Sequence, residues 1–177
     1  KAVIVAEKYS CVQEVVSIMS MLSVNNSIFY RPKDRAVHAD NAKHNFARGG
    51  GGDHMLLLRC YSEWADTDFS TQWCYENFVQ YRSMNRARDI YEQLEGLCER
   101  VELEMTSNPH DIDSICKAVA AGFFYNTAKL SKSGEYKTVK QQHTVYIHPS
   151  SCMARLEEPP RWLIYHELAF TTKEYMR

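Results

Sequence analysis

The chain has 177 residues, of which 45% are hydrophobic and 24% charged, a composition typical of one large globular domain or two small ones. Its formal net charge is −1. This balance excludes a general electrostatic attraction to nucleic acid, so any contact with RNA has to come from a local basic patch.

The cysteines indicate a reducing environment. Six are scattered along the chain without a CxxC pair, and all but Cys152 lie among apolar residues at helical spacing. Such cysteines usually act as small buried hydrophobes, which favours a reduced intracellular compartment over a disulfide scaffold. No secretory leader and no apolar run of about 18 residues occur, so neither secretion nor a membrane span is predicted. The opening KAVIVA indicates a piece of a longer protein.

The first third of the chain predicts helices separated by polar breaks. Ser10 is placed to cap a helix, with Gln13 as its capping-box partner. Pro32 interrupts the apolar pattern, and a polar helix is predicted over about 33–46. Residues 49–52 are four glycines that form a flexible break. Asp53 is then predicted to cap the next helix.

The middle of the chain predicts a short helix and then a long one. Ser70 is placed to begin the short helix. The clearest apolar stripe of the sequence runs over about 83–105 and predicts the long helix, with Ser83 as a possible cap. On that helix Arg88 and Glu92 are four residues apart and are expected to form an ion pair.

The last part changes from helical to strand periodicity. Asn108-Pro109 predicts the start of a helix that ends near Gly122. A turn is predicted over 131–135, and 144–148 is rich in strand-forming residues. Residues 162–171 alternate as one strand, with Trp162, Ile164, His166, Leu168 and Phe170 on one face. The sequence therefore predicts an α+β protein, a helical bundle followed by a small β unit.

No pattern that carries catalysis is present. The glycine run in RGGGGD lacks the Gly-Lys-Ser or Gly-Lys-Thr of a phosphate-binding loop. His166-Glu167 begins like a zinc-protease motif, but Phe170 stands where the second histidine is needed. The cysteines and serines lack the sequence context of a nucleophile. We therefore predict no catalytic residue, no metal ligand and no cofactor bound by this chain.

Two basic clusters are candidates for RNA contact. The first surrounds the start of the long helix and the second brackets the junction between helices and strands; they comprise Arg82, Arg86 and Arg88, and Lys129, Lys132, Lys137 and Lys140. Tyr125 and Tyr136 lie nearby and are candidates for stacking on bases. The alternative is a solvated charged face with aromatic residues in the core.

Six strings in a fixed order resemble one family of proteins. They are MLSVNNSIFYRPKD, GGDHMLLL, WCYENFVQYRSMNRARDI, KAVAAGFFYNTAKL, TVKQQHTVYIHPSS and RWLIYHELAFTTKEYMR. Their order is similar to the region that follows the motor domains in DEAH-box RNA helicases, particularly the spliceosomal ones. The resemblance is greatest to the member that activates the spliceosome, with the member that releases spliced mRNA as a close second.

The resemblance implies an architecture and a site. A helical ratchet bundle is expected over 1–128 and a partial OB-fold barrel over 129–177. Single-stranded RNA is expected to lie in a channel against the ratchet and OB surfaces. The matched strings indicate Arg82, Ser83, Arg86, Lys137 and Lys140 as contacts, with Lys129 as a weaker candidate. His148 and Ser150 are alternatively expected to hold the OB fold against its neighbours.

The resemblance also implies partners and a location. ATP and magnesium belong to RecA-like domains that this chain lacks, and the parent protein is expected to be an ATP-dependent RNA helicase in the nucleus. Expected partners are pre-mRNA, the RecA and winged-helix domains of the same protein, a G-patch activator and spliceosomal proteins. Two other interpretations remain open: a module that docks proteins with little RNA contact, and an independent hydrolase.

Overall fold

A computed structural model describes residues 1–24 and 27–177. Asn25 and Asn26, which belong to one of the six strings, lie outside the described residues. A helical part comes first. Its elements are α1 Ala2–Lys8, α2 Val12–Leu22, a 3₁₀ turn Lys33–Arg35, α3 Ala36–Ala47, α4 Gly52–Asp66, α5 Thr71–Glu76, α6 Tyr81–Arg100 and α7 Ile112–Phe123.

Six short strands follow the helices. They are β1 Thr127–Leu130, β2 Tyr136–Thr138, β3 Thr144–Ile147, β4 Trp162–Ile164, β5 Leu168–Phe170 and β6 Glu174–Met176. The predicted α+β class, helices first and then a β unit, is confirmed. No helix in the two described ranges is long and apolar enough to cross a membrane.

Helix α2 lies at the centre of the helical part. It packs against α1, α4, α6 and α7, and its buried residues cover most of its circumference. Val12, Val15 and Ile18 are fully buried in one core with α1 and α7, whereas Met21 joins a second core formed by α3 to α6. A helix that is buried on most of its sides has to be surrounded by other elements. The sequence of α2 therefore organises the bundle.

Three of the predicted helix starts are wrong. Ser10 has a φ of 55° and lies in the turn that closes α1, while the side chain of Gln13 donates to the Met105 carbonyl at 2.9 Å. Asp53 lies inside α4, after Gly51, and is not its cap. Ser83 lies inside α6, which begins two residues earlier. In each case the polar side chain bonds elsewhere or the chain turns before it.

The other local predictions fared better. The Ser70 hydroxyl accepts a hydrogen bond from the Trp73 amide at 3.2 Å and caps α5. The predicted polar helix is present as α3. The predicted ion pair is also present, because the Arg88 Nε lies 3.4 Å from the Glu92 Oε1. The last helix begins at Ile112, later than predicted, because Asp111 caps it through the Ser114 amide.

The strands form one sheet in the order β4-β1-β2-β3-β6-β5, and all neighbours are antiparallel except β3 and β6. Its core consists of Ala128, Tyr136, Val145, Tyr165 and Met176. The single strand predicted over 162–171 is wrong, because the chain turns after Ile164. The amides of His166 and Glu167 there donate to the Arg177 carbonyl, so the segment divides into β4 and β5.

A loop of the β unit is anchored on the helical part. The Asp53 carboxylate of α4 accepts hydrogen bonds from the Ser151 hydroxyl at 2.5 Å and the Cys152 amide at 3.0 Å. Lys43 of α3 donates to the Ser150 carbonyl at 2.7 Å. Cys152 packs against the second helical core. The two parts are thus joined by charged hydrogen bonds as well as by apolar contact. The division predicted between residues 128 and 129 stays a prediction.

Candidate nucleic-acid interface

The start of α6 is fixed by a short strand-like pairing. The Gln80 amide donates to the Ile28 carbonyl at 2.8 Å, and the Tyr30 amide donates to the Phe78 carbonyl at 3.1 Å. Phe29 and Val79 form a β-bridge between these two bonds. The chain before α6 is therefore held on both sides of the bridge, and the first turn of the helix has a defined position on the surface.

Arg82 and Arg86 lie one turn apart on the first two turns of α6. Both are exposed and are four residues apart, so they share one face of the helix. Neither has a carboxylate oxygen within 4.0 Å in the described part of the chain. Arg88 differs from them, because its guanidinium lies 3.8 Å from the centre of the Phe69 ring and pairs with Glu92. Two guanidinium groups at a helix start thus remain available for phosphate.

Ser83 does not belong to this exposed face. Its side chain is 2% exposed and its hydroxyl donates to the Ser27 carbonyl at 2.8 Å. A buried hydroxyl that is already bonded has no free donor for phosphate. The structure therefore speaks against Ser83 as an RNA contact and assigns it to holding the segment before α3 on α6.

The β unit places two of the predicted lysines next to each other. Lys129 of β1 is the direct cross-strand neighbour of Lys137 of β2. On the far side of β1, Trp162 of β4 is the direct neighbour of Lys129, and on the far side of β2, Thr144 of β3 is the neighbour of Lys137. We call these four residues the cross-strand row. They share one face of the sheet, because directly paired residues point to the same side.

Repulsion within the cross-strand row is not relieved by acidic partners. Neither Lys129 nor Lys137 forms an ion pair with any residue of the described ranges. Like charges placed directly opposite destabilise a sheet by about 0.2–1 kcal/mol. The Lys129 ammonium instead lies 4.8 Å from the centre of the Trp162 ring. A bound polyanion would attract both ammonium groups and so offset the repulsion between them.

The remaining candidates divide into exposed and buried groups. Lys140 is exposed in the turn after β2, and Tyr125 is half-exposed at the end of α7. Tyr136 is 6% exposed, and its hydroxyl donates to the Pro160 carbonyl at 2.6 Å. It is a core residue, so the prediction that it stacks on bases is wrong. The arginines of α6 and the lysines of the sheet lie on different parts of the molecule, since α6 packs against α2 and α5.

Comparison with protein families identifies both parts. Residues 1–57 match the helicase-associated domain HA2, described as ratchet-like, and residues 115–177 match an oligonucleotide/oligosaccharide-binding (OB) fold. The two in this order are typical of the C-terminal regions of DEAH-type helicases. This chain is the ratchet and OB region of a DEAH-box-type helicase. Lys129, Lys137 and Lys140 therefore lie on a fold that binds oligonucleotides in other proteins, whereas Arg82 and Arg86 lie between the two matched ranges.

Within this ratchet and OB region, His148 and Ser150 lie at the junction of the two folds. The His148 Nδ1 is 2.6 Å from the Ser150 hydroxyl oxygen, and the Ser150 carbonyl accepts from Lys43. The imidazole also packs edge-on against Tyr175 of β6. The Ser150 contact links the OB fold to α3, whereas these contacts of His148 lie within the OB fold, so the expectation for His148 stays a prediction.

The side chains of this helicase region that are able to carry chemistry include its histidines, its carboxylates and its cysteines. Among the residues that the structure describes, no group of three or more histidine, cysteine or acidic side chains is placed to hold a metal ion. Burial raises the pKa of Cys11 and of Cys74 to about 11. Burial and the nearby Asp53 charge raise the pKa of Cys152 to about 12. These thiols stay protonated at neutral pH and are poor nucleophiles.

A crevice of about 380 Å³ lies between the helical part and the β unit, beside β4. Gly52, His54 and Val119 line it from the helical side, and Met153 and Trp162 line it from the β side. His54 stacks on Phe123, and desolvation lowers its pKa below the ordinary value of 6.5. The crevice leaves open space next to the outermost strand of the sheet.

Sequence reasoning missed two features of the site. Trp162 was placed correctly on an alternating segment, but Lys129 was not assigned to a strand, so their pairing was not found. The sequence predicts Asp53 to be a helix cap, although its carboxylate holds a loop about a hundred residues away in the chain. A short polar string gives no sign of such a distant partner. Both features depend on contacts between segments far apart in sequence.

Proposed function

We propose that this region forms part of the single-stranded RNA path of a pre-mRNA-splicing DEAH-box helicase and supports ATP-driven translocation during spliceosome activation. The observation that carries the proposal is the cross-strand pair of Lys129 and Lys137, two adjacent cations without an acidic partner in the described ranges, on an OB fold. Arg82 and Arg86 on α6 supply a second pair of cations, again without an acidic partner in the part of the chain that the structure describes. Four such groups suit a phosphate backbone.

The mechanism follows from what these residues are able to bind. Lysine and arginine contact phosphates, which carry no base sequence, so a strand is able to move past them without losing its partners. ATP binding and hydrolysis take place in RecA-like domains of the parent protein. Their opening and closing moves the strand, while the ratchet and OB surfaces provide a rigid wall. The hydrogen bonds of Asp53 and Lys43 across the junction keep that wall in one piece.

The resemblance to spliceosomal members supports the finer assignments. We propose a nuclear location, pre-mRNA as the RNA, and contacts with the winged-helix and RecA domains of the same protein. We further propose a G-patch activator and spliceosomal proteins as partners. The mRNA-release member of the family is the alternative identity, and splicing assays with each substrate complex distinguish the two.

The first test removes the two arginines from the parent helicase. We expect Arg82→Gln with Arg86→Gln to raise the RNA concentration that gives half-maximal ATPase stimulation by about two- to thirtyfold, since exposed ion pairs each contribute about 0.2–1 kcal/mol. The ATPase rate at saturating RNA should stay the same. Arg100→Gln, an exposed arginine at the other end of α6, is the matched control. Equal effects of the control and the double variant contradict the proposal.

One observation favours a second function, docking of proteins. Leu97 and Val101 at the end of α6 are 51% and 70% exposed and lie one helical turn apart. Neighbouring exposed apolar side chains are typical of binding sites for other proteins. This alternative predicts RNA binding that is weak and insensitive to salt. It also predicts that Leu97→Ser leaves ATPase stimulation unchanged while it lowers incorporation of the helicase into spliceosomes.

A further inference from the structure

An exposed tryptophan stands at the end of the cross-strand row. Trp162 is 53% exposed on β4, which is the outermost strand on its side of the sheet. Its neighbour toward the centre is Lys129, whose ammonium covers the indole at 4.8 Å. Among the described residues no strand pairs with the other side of β4, and the crevice of about 380 Å³ borders the same residue. Open space therefore lies beside the ring.

We propose that Trp162 is a base-stacking residue for single-stranded RNA, with Lys129 and Lys137 holding the adjoining phosphates; this role rests on the proposed function. An unpaired base takes the open side of the indole, and the lysines of the same row bind the backbone. Strand spacing of about 4.8 Å puts the whole row at about 14 Å, which matches a few nucleotides of extended strand. A single OB fold covers about 4–16 nucleotides.

Charge and shape together select RNA as the occupant. Lys129 and Lys137, which have no acidic partner in the described ranges, suit a polyanion, and the exposed indole of Trp162 suits a flat ring that stacks on it. A single-stranded nucleic acid carries both groups at every nucleotide. An acidic peptide offers carboxylates but no regular supply of flat rings for Trp162. The Lys129 ammonium, already seated on the indole, keeps the ring in place before RNA arrives.

The test compares strands with and without bases. Fluorescence anisotropy measures binding of the 177-residue chain to a labelled single-stranded RNA of about twelve nucleotides, within the range of one OB fold. A second strand of the same length has abasic sugars in place of nucleosides. Trp162→Leu should weaken binding of the intact strand by about five- to 150-fold, the range for loss of one stacked base, and should leave the abasic strand unaffected.

Two further variants make the result specific. Trp162→Phe keeps a ring and should retain most of the affinity. Phe170→Leu removes an aromatic side chain that is 80% exposed on β5, outside the row, and should change nothing. The proposal is overturned if Trp162→Leu acts equally on both strands or if Phe170→Leu weakens binding as much.

The outcome also separates this role from the proposed function. If the unchanged chain binds both strands with equal, salt-sensitive affinity, phosphate contact stands and the stacking role of Trp162 is wrong. If the chain binds neither strand at low salt, phosphate contact by this region fails, and the stacking role fails with it.

Discussion

Replacement of Asp53 by asparagine should loosen the joint between the ratchet and OB folds. The carboxylate accepts two hydrogen bonds from the loop that follows β3, from the Ser151 hydroxyl and from the Cys152 amide. Asparagine has nearly the same shape but no charge, and its amide nitrogen takes the place of one carboxylate oxygen. The oxygen of the amide is able to accept from the Cys152 amide, whereas the Ser151 hydroxyl has to become the acceptor. The change therefore removes the negative charge from both bonds and reverses the direction of one.

The size of the effect follows from the type of bond. Hydrogen bonds to a charged group contribute about 1.5–3 kcal/mol, and Asp53 is half-buried, so we expect a loss in the free energy of unfolding within that range. For a chain of this length each kcal/mol corresponds to about 2–4 °C in melting temperature. Asp53→Asn should thus lower the melting temperature by about 3–12 °C in a calorimetric or circular-dichroism scan.

The chain supplies a matched control in Asp113. It is the second residue of α7, as Asp53 is the second residue of α4, so both carboxylates interact with the positive end of a helix. Asp113 is exposed and far from the loop of 150–153. Asp113→Asn should therefore cost only the helix contribution, about 0.3–1 kcal/mol. Equal melting temperatures for the two variants would refute the assignment of Asp53 as the joint.

Three further predictions concern the packing and the titrating groups. Cys152 should react with iodoacetamide far more slowly at about pH 8 than a free thiol, because its pKa is about 12. Gly122→Ala should destabilise the chain by about 1–3 kcal/mol in urea unfolding, because the new Cβ would lie 2.5 Å from the Cβ of Ala2. Gly96 faces open space, so Gly96→Ala is the control and should stabilise the chain by about 0.5–1 kcal/mol. The pKa of His54 is lowered on folding, so the unfolded chain binds more protons and stability should fall as the pH drops below 6.5. His54→Gln should reduce that fall in melting scans between about pH 7.5 and about pH 5.5.

The sequence was most informative where structure is local. Ser70, predicted from the sequence to begin the short helix, caps α5 through a residue three positions later. The apolar period of α6 predicted that this helix exists, but it did not predict where the first turn begins. That turn is set by pairing with residues 28–30, which lie about fifty positions earlier. Patterns of neighbouring residues do not predict a pairing partner that lies so far away in the sequence.

The strands were harder to predict than the helices for a physical reason. Each has three or four residues, too few to show a period, and Lys129 lies in a strand whose other residues are small or mixed. The alternation over 162–171 was real, but it continued through a turn that is held by the Arg177 carbonyl. Pairing of Lys129 with Lys137 and Trp162 is fixed by register, which only the folded sheet defines.

Salt dependence of RNA binding tests the central claim most directly. Affinity of this chain for a short single-stranded RNA should fall as salt rises, with a slope of about 0.7 in log–log form for each phosphate that is held. Lys129→Gln with Lys137→Gln should lower that slope by about 1.4, the contribution of two phosphates. Absence of binding at low salt, or a slope that the double variant leaves unchanged, would contradict the assignment of this surface to the RNA path.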